Sequence, residues 1–186
     1  MTNKYESFNL EIEDNIANII LSRPEQLNSM SRKFWVELPE ILEEVNRNSE
    51  IRVLIISSTG KHFCAGMDLS AFDNGVANIP KEKRPDNARI GEALYRSAKE
   101  LQEYISKLEK IRVPVIAAIH GGCIGGAVDL VTACDIRLAT TDAFFCIQEI
   151  NIGMAADVGT LQRLPRIIPD SKTVSYTHLT LPTNGC

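Results

Sequence analysis

The stretch VIAAIHGGCIGGAVDLVTACDIRLAT, residues 115–140, limits the folds open to this chain more than any other. Pro114 precedes Val115–Ile119, five apolar residues that suit a buried strand and are too few for a helix. Gly121, Gly122, Gly125 and Gly126 follow as a turn, and the apolar residues after them predict a helix from about Gly125 to Cys134. A further short apolar run, Ile136 to Ala139, predicts a second strand. Two strands joined through a helix are the unit that builds parallel sheet with helices on its faces. The expected class is therefore α/β, with at least partly parallel pairing.

The flanking sequence agrees with that class. Phe8, Leu10 and Ile12 alternate with polar residues, and Ile16–Leu21 follows the interruption Glu13-Asp14-Asn15, so residues 7–22 predict a β-hairpin. Ser31 is the expected N-cap of a helix whose face carries Phe34, Leu38, Ile41, Leu42 and Val45, with Pro39 inside it as a point of kinking. IRVLIIS, residues 51–57, predicts a buried strand. Leu94, Leu101, Ile105 and Leu108 mark a second amphipathic helix, and the polar stretch before it, with Pro80 and Pro85, reads as a mobile surface loop. A last strand is expected around residues 144–147 and a helix start near Asp157.

Composition narrows the function classes. With 186 residues, 44% of them hydrophobic, the chain can bury one sizeable core. Acidic residues outnumber basic ones 24 to 20, and the Lys and Arg are scattered, which argues against a nucleic-acid surface or a polybasic membrane patch. No run of apolar residues is long enough to span a bilayer. Five cysteines without a C-x-x-C pair, together with an N-terminus lacking signal or transit features, lead us to expect reduced thiols and a cytoplasmic protein. His62, His120 and His178 have no metal-ligand spacing, so no metal is expected, and a G-x-S-x-G nucleophile elbow is absent.

A glycine turn that feeds a helix presents unpaired backbone N–H groups at the positive end of the helix dipole, where negative charge is stabilised. Phosphate-loop readings fail here, because no G-K-[ST] follows these glycines and the G-x-G-x-x-G order is absent. An oxyanion hole is the remaining chemical reading, with a second donor from FCAGMDL, residues 63–69. Tight helix–strand packing is the other use of such a turn, and the sequence leaves it open.

Three carboxylates are placed to serve such a site. Asp129 sits among Val128, Leu130 and Val131, where an unpaired acid is costly unless it shifts its pKa or finds a partner. Glu149 closes the strand-like FFCIQE and reads either as catalytic or as a solvated strand end. Asp157 reads either as a proton carrier or as a helix N-cap. These positions are too far apart to share a helix face, so any meeting is tertiary.

The segments LSRPEQLNSM (21–30), KHFCAGMDL (61–69), IHGGCIGGAVDLVTACDIRLAT (119–140) and QEINIGMAADVGTLQRLPRI (148–167) together resemble the crotonase, or enoyl-CoA hydratase/isomerase, superfamily over roughly residues 7–170. The resemblance implies a spiral of β-β-α units that binds acyl-CoA thioesters. No cofactor is implied beyond the coenzyme A carried by the substrate, and the assembly implied is a homotrimer or homohexamer. It implies an oxyanion hole from the amides of Met67 and Gly126, and substrate contacts at Ala65, Gly66, Met67, Asp68, Leu69 and Gly126. The combination Asp129, Glu149 and Asp157 is similar to that of the dienoyl-CoA isomerases, which convert 3,5-dienoyl-CoA to 2,4-dienoyl-CoA in fatty-acid β-oxidation. That likeness implies Glu149 and Asp157 as proton carriers, with Asp129 orienting or tuning them. Enoyl-CoA hydratase is the alternative enzyme, and a non-catalytic binding protein on the same fold, including an RNA-binding one, is the alternative of another class.

The chain closes with VSYTHLTLPTNGC, residues 174–186, which has no apolar period and resembles the in-frame translation of a transposon-end adapter. Residues 1–173 are accordingly expected to form an incomplete crotonase-like core domain lacking its C-terminal helical part, and 174–186 a non-native tail.

Overall fold

Asp14 and Asn15 reverse the chain with φ of 48° and 65°, the left-handed region that short polar side chains tolerate best after glycine. In the computed structural model, which describes residues 5–68, 70 and 86–178, this turn joins β1 (Phe8–Glu13) to β2 (Ile16–Leu21). The two strands pair antiparallel with Phe8 opposite Leu21. Three parallel neighbours follow: β3 (Val53–Ser58), β4 (Val115–Ile119) and β6 (Ile136–Ala139) complete a sheet of order β1-β2-β3-β4-β6. Register puts Ala17, Leu54 and Val115 in one row across three strands, and Ile19, Ile56 and Ala117 in the next. All six are buried, because alternate residues of each strand share the face that meets the helices.

Helix α1 (Arg32–Arg47) begins as expected, with the Ser31 hydroxyl accepting the Phe34 N–H at 3.3 Å. It continues through Pro39 to Arg47 and buries the expected stripe of Phe34, Leu38, Ile41, Leu42 and Val45. Phe34 packs its ring 4.9 Å from that of Phe8, locking helix to hairpin. Buried Glu37 accepts the N–H groups of Glu6 and Ser7 at 2.9 and 2.8 Å, so its charge is spent on the entry to β1. Helix α2 (Asn87–Lys110) buries Ile105 and Leu108, whereas Leu94 of the same expected stripe is exposed. The expected loop around Pro80 and Pro85 lies outside the described residues.

The glycine segment departs from expectation in one respect. Gly122–Ile124 is a strand, β5, paired in parallel with β7 (Phe144–Cys146). Its other side is covered too: Cys64 donates to Gly122 O at 3.1 Å and Ile124 donates to Cys64 O at 3.0 Å. Three chain segments thus share a ladder, and the expected turn is split between Gly121, with φ 54°, before the strand and Gly125 after it, which opens the buried helix α3 (Gly126–Thr132). After β7 the chain makes a 3-10 turn over Gln148–Ile152, runs irregularly to Gly159, and forms α4 (Thr160–Arg163). Helix α5 (Asp170–His178) crosses residue 173, the expected end of the core domain. Among the described residues no helix is long and apolar enough to cross a membrane.

Candidate active site

The 62–68 loop and the start of α3 meet main chain to main chain. Gly66 has φ 85°, and a Cβ built on it would lie 2.6 Å from Ile124 O and 3.3 Å from Gly126 N. A side chain there would force the two segments apart, so glycine is required by close approach as well as by backbone conformation. A Cβ on Gly126 would in turn lie 3.9 Å from Met67 N. Met67 is fixed on both sides, since Met30 donates to Gly66 O at 2.7 Å and Asp68 donates to Met30 O at 3.1 Å. The Trp35 indole N–H holds the Met67 sulfur at 3.3 Å. Among the described residues neither the Met67 nor the Gly126 N–H meets an acceptor, the second being one of the orphan donors that any helix start leaves.

Both residues line a cavity of about 180 Å³, and so do Asp129, Glu149 and Asp157. The three acidic residues come to it from different parts of the chain. Asp129 stands in the first turn of α3, 1% exposed, and its Oδ1 accepts the Thr160 N–H at 2.6 Å. Glu149 stands in the 3-10 turn rather than at the end of a strand, because β7 stops at Cys146. Its Oε1 is 3.3 Å from where a Gly125 Cβ would sit, and its buried Oε2 has no hydrogen-bond partner among the described residues. Asp157 lies on the irregular segment, exposed, with its main-chain carbonyl accepting from Gln102 Nε2 at 2.7 Å. It is not the N-cap of α4: Gly159 occupies that position, and the first free amide of the helix is taken by Asp129 instead.

The cavity shifts two of these acids in the same direction. Burial pushes the Glu149 carboxyl up to about 7, and the charges of Asp129 and Asp157 add to the effect. Burial likewise pushes Asp129 up to about 6, against the lowering influence of its Thr160 contacts and of Arg163. Desolvation disfavours the ionised form and like charges reinforce it, so protons are held near neutral pH.

Of the other sequence-predicted residues, Ala65 lines the cavity and Gly66 stands behind it as the contact between the two loops. Asp68 turns elsewhere: its carboxylate accepts from Ser70 Oγ at 2.7 Å and Ser29 Oγ at 3.3 Å and faces Arg23. Those contacts hold it below the usual carboxylate range. Leu69 lies outside the described residues. Sequence reasoning missed the apolar wall, made by Trp35, Ile152, Met154 and Val158. Only INIGM, directly after Glu149, carries a signal that could have pointed to part of it.

The sequence matches the enoyl-CoA hydratase/isomerase family over residues 11–185. The chain belongs to that family. It is 44% identical over 156 residues to the peroxisomal Delta(3,5)-Delta(2,4)-dienoyl-CoA isomerase of Arabidopsis thaliana, covering 84% of this chain and 55% of the relative. It is 43% identical over 172 residues to the mitochondrial protein of that name from Rattus norvegicus, covering 92% and 52%. A Thermobifida fusca structure assigned as an enoyl-CoA hydratase, in complex with acetoacetyl-CoA, superposes with a TM-score of 0.77 at 27% identity, covering 91% of this chain and 65% of that one. The α/β fold is therefore the crotonase fold, as the sequence led us to expect. The chain spans about half the length of the curated relatives it matches. Their names place these two relatives in the peroxisome and the mitochondrion, which lends the cytoplasmic expectation no support.

Proposed function

We propose that this chain carries the catalytic centre of a dienoyl-CoA isomerase, which converts 3,5-dienoyl-CoA to 2,4-dienoyl-CoA. One observation carries the reading: three acidic residues from separate parts of the chain, and two main-chain amides that meet no acceptor among the described residues, border the same cavity. The conversion removes a proton from C2 and adds one at C6. The electrons of the broken C2–H bond form the C2=C3 double bond, the C3=C4 pair moves to C4=C5, and the C5=C6 pair forms the new C6–H bond with a proton given up by an acid. Charge develops on the thioester oxygen in between, and the N–H groups of Met67 and Gly126 are suited to hold it as an oxyanion hole.

Glu149 and Asp157 are the proton carriers in this reading. A carboxyl pushed up to about 7, with a buried oxygen that has no partner among the described residues, can take or release a proton at physiological pH, which fits Glu149. Asp129 orients rather than reacts, because its Oδ1 is engaged by Thr160. Trp35, Ile152, Met154 and Val158 supply an apolar lining suited to an acyl chain. Coenzyme A enters as part of the substrate, and the proposed assembly is a homotrimer or homohexamer.

A spectrophotometric assay tests the reading. With a 3,5-dienoyl-CoA, absorbance should rise as the diene comes into conjugation with the thioester. Hydration of a 2-enoyl-CoA with no such rise would replace isomerase by hydratase, and binding without either reaction would leave a non-catalytic acyl-CoA protein.

A further inference from the structure

Residues 153–159 belong to no helix or strand, yet this segment carries Asp157 and leads into the amide that holds Asp129. Its position is set by side chains from elsewhere. Arg163, 8% exposed, donates from Nε and Nη2 to Glu109 Oε2 of α2 at 2.9 and 2.6 Å. The same Nη2 donates to Ser106 Oγ at 3.0 Å, and Nη1 donates back to Val158 O at 3.2 Å. The guanidinium therefore joins α2 to the backbone beside Asp157. Gly159, with φ 131°, makes room for it: a Cβ there would lie 1.6 Å from Arg163 Nη1. Gln102, on α2 as well, holds Asp157 O. The carbonyls of residues 157 and 158 and the amide of 160 are thus each tied by a side chain.

We propose that Glu109 and Arg163 are positioning residues, a clamp through which α2 fixes residues 157–160 so that the Asp157 carboxyl faces the cavity and the Thr160 amide stays on Asp129. A nearly buried guanidinium needs its counter-charge, so Glu109 keeps Arg163 in place while touching neither the cavity nor any reacting atom. The kinetic half of this proposal rests on the isomerase reading; the structural half does not.

Hydrogen exchange of the chain, read by mass spectrometry, separates the two. In Glu109→Gln, peptides covering residues 157–163 should exchange about tenfold faster, while those from β2, β3 and β4 keep their protection. In turnover of a 3,5-dienoyl-CoA the same variant should lose at least about tenfold in kcat with KM within about twofold, because binding is spared and only the acids are misplaced. Gln102→Leu removes one tie and no charge, and should give the same local pattern at about threefold, which keeps the test open where Glu109→Gln fails to fold. Unchanged exchange over 157–163 in both variants overturns the clamp, and so does a loss in Gln102→Leu that spreads to the sheet. A wild-type chain that never isomerises the dienoyl thioester overturns the isomerase reading instead, and the exchange result then decides the clamp alone.

Discussion

Asp129 and Glu149 face the same cavity and could hardly be housed more differently. Asp129 sits on a buried helix, 1% exposed, with one oxygen committed to the Thr160 amide at 2.6 Å. Glu149 sits on a single 3-10 turn, half-buried, with one oxygen left without a partner among the described residues. The first acid joins two pieces of the fold; the second has its capacity for a proton unspent. In the proposed mechanism burial alone would thus not mark the reacting group: what separates the two acids is that Glu149 keeps an oxygen without a partner among the described residues.

The comparison can be broken most directly at Glu149. Glu149→Gln should cut turnover of a 3,5-dienoyl-CoA by about a thousandfold, within the range for losing a general acid–base group, and steady-state kinetics would read it. Asp157→Asn should cost at least about a hundredfold while acyl-CoA binding, followed by calorimetry, stays nearly intact; unchanged turnover would remove Asp157 from the mechanism. Asp129→Asn should cost least, about tenfold, because an amide oxygen can still accept from Thr160 and only the charge is lost. A loss there as large as at Glu149 would erase the distinction between the two acids.

The smallest effect is thermodynamic. Both carboxyls titrate higher in the folded chain than unfolded, so the folded state binds more protons over that interval. Their contribution to stability is therefore most favourable below about pH 4 and declines as pH rises, through about 6 for Asp129 and about 7 for Glu149. Glu149→Gln removes one such group, so it should exceed the parent in stability by on the order of 1–3 kcal/mol at pH 8 and by little at pH 4. Urea denaturation at the two pH values checks the sign.

Much of the sheet could be read directly from the chain, for local reasons. Asp14 and Asn15 carry their own turn chemistry, and Leu54 and Ile56 alternate with less buried neighbours in β3 as the pleat demands. Ser31 capped its helix because the cap is a contact three residues long. Errors came where pairing was distant. Gly122–Ile124 looked like turn because glycine is a poor strand former, but partners on both sides supplied by residues 64 and 144–146 outweighed propensity. Glu149 was expected at a strand end, and nothing local reveals that β7 stops at Cys146. The three acids were legible as candidates from their setting, whereas the clamp joining Glu109 to Arg163 spans 54 residues and leaves no periodic trace.

The contact at Gly66 has an evolutionary corollary. The separation of the Met67 and Gly126 amides is gauged by carbonyl and Cα atoms that every sequence possesses. Side chains of the interior that touch neither segment can be exchanged over generations without recalibrating that gap, provided nothing is added at residue 66 or at residue 126, where a Cβ would lie 3.0 Å from Met30 Sδ. A lineage can therefore diverge in its more distant hydrophobic residues and still inherit the same spacing, with hydrogens in place of methyl groups at these two positions as its guarantors.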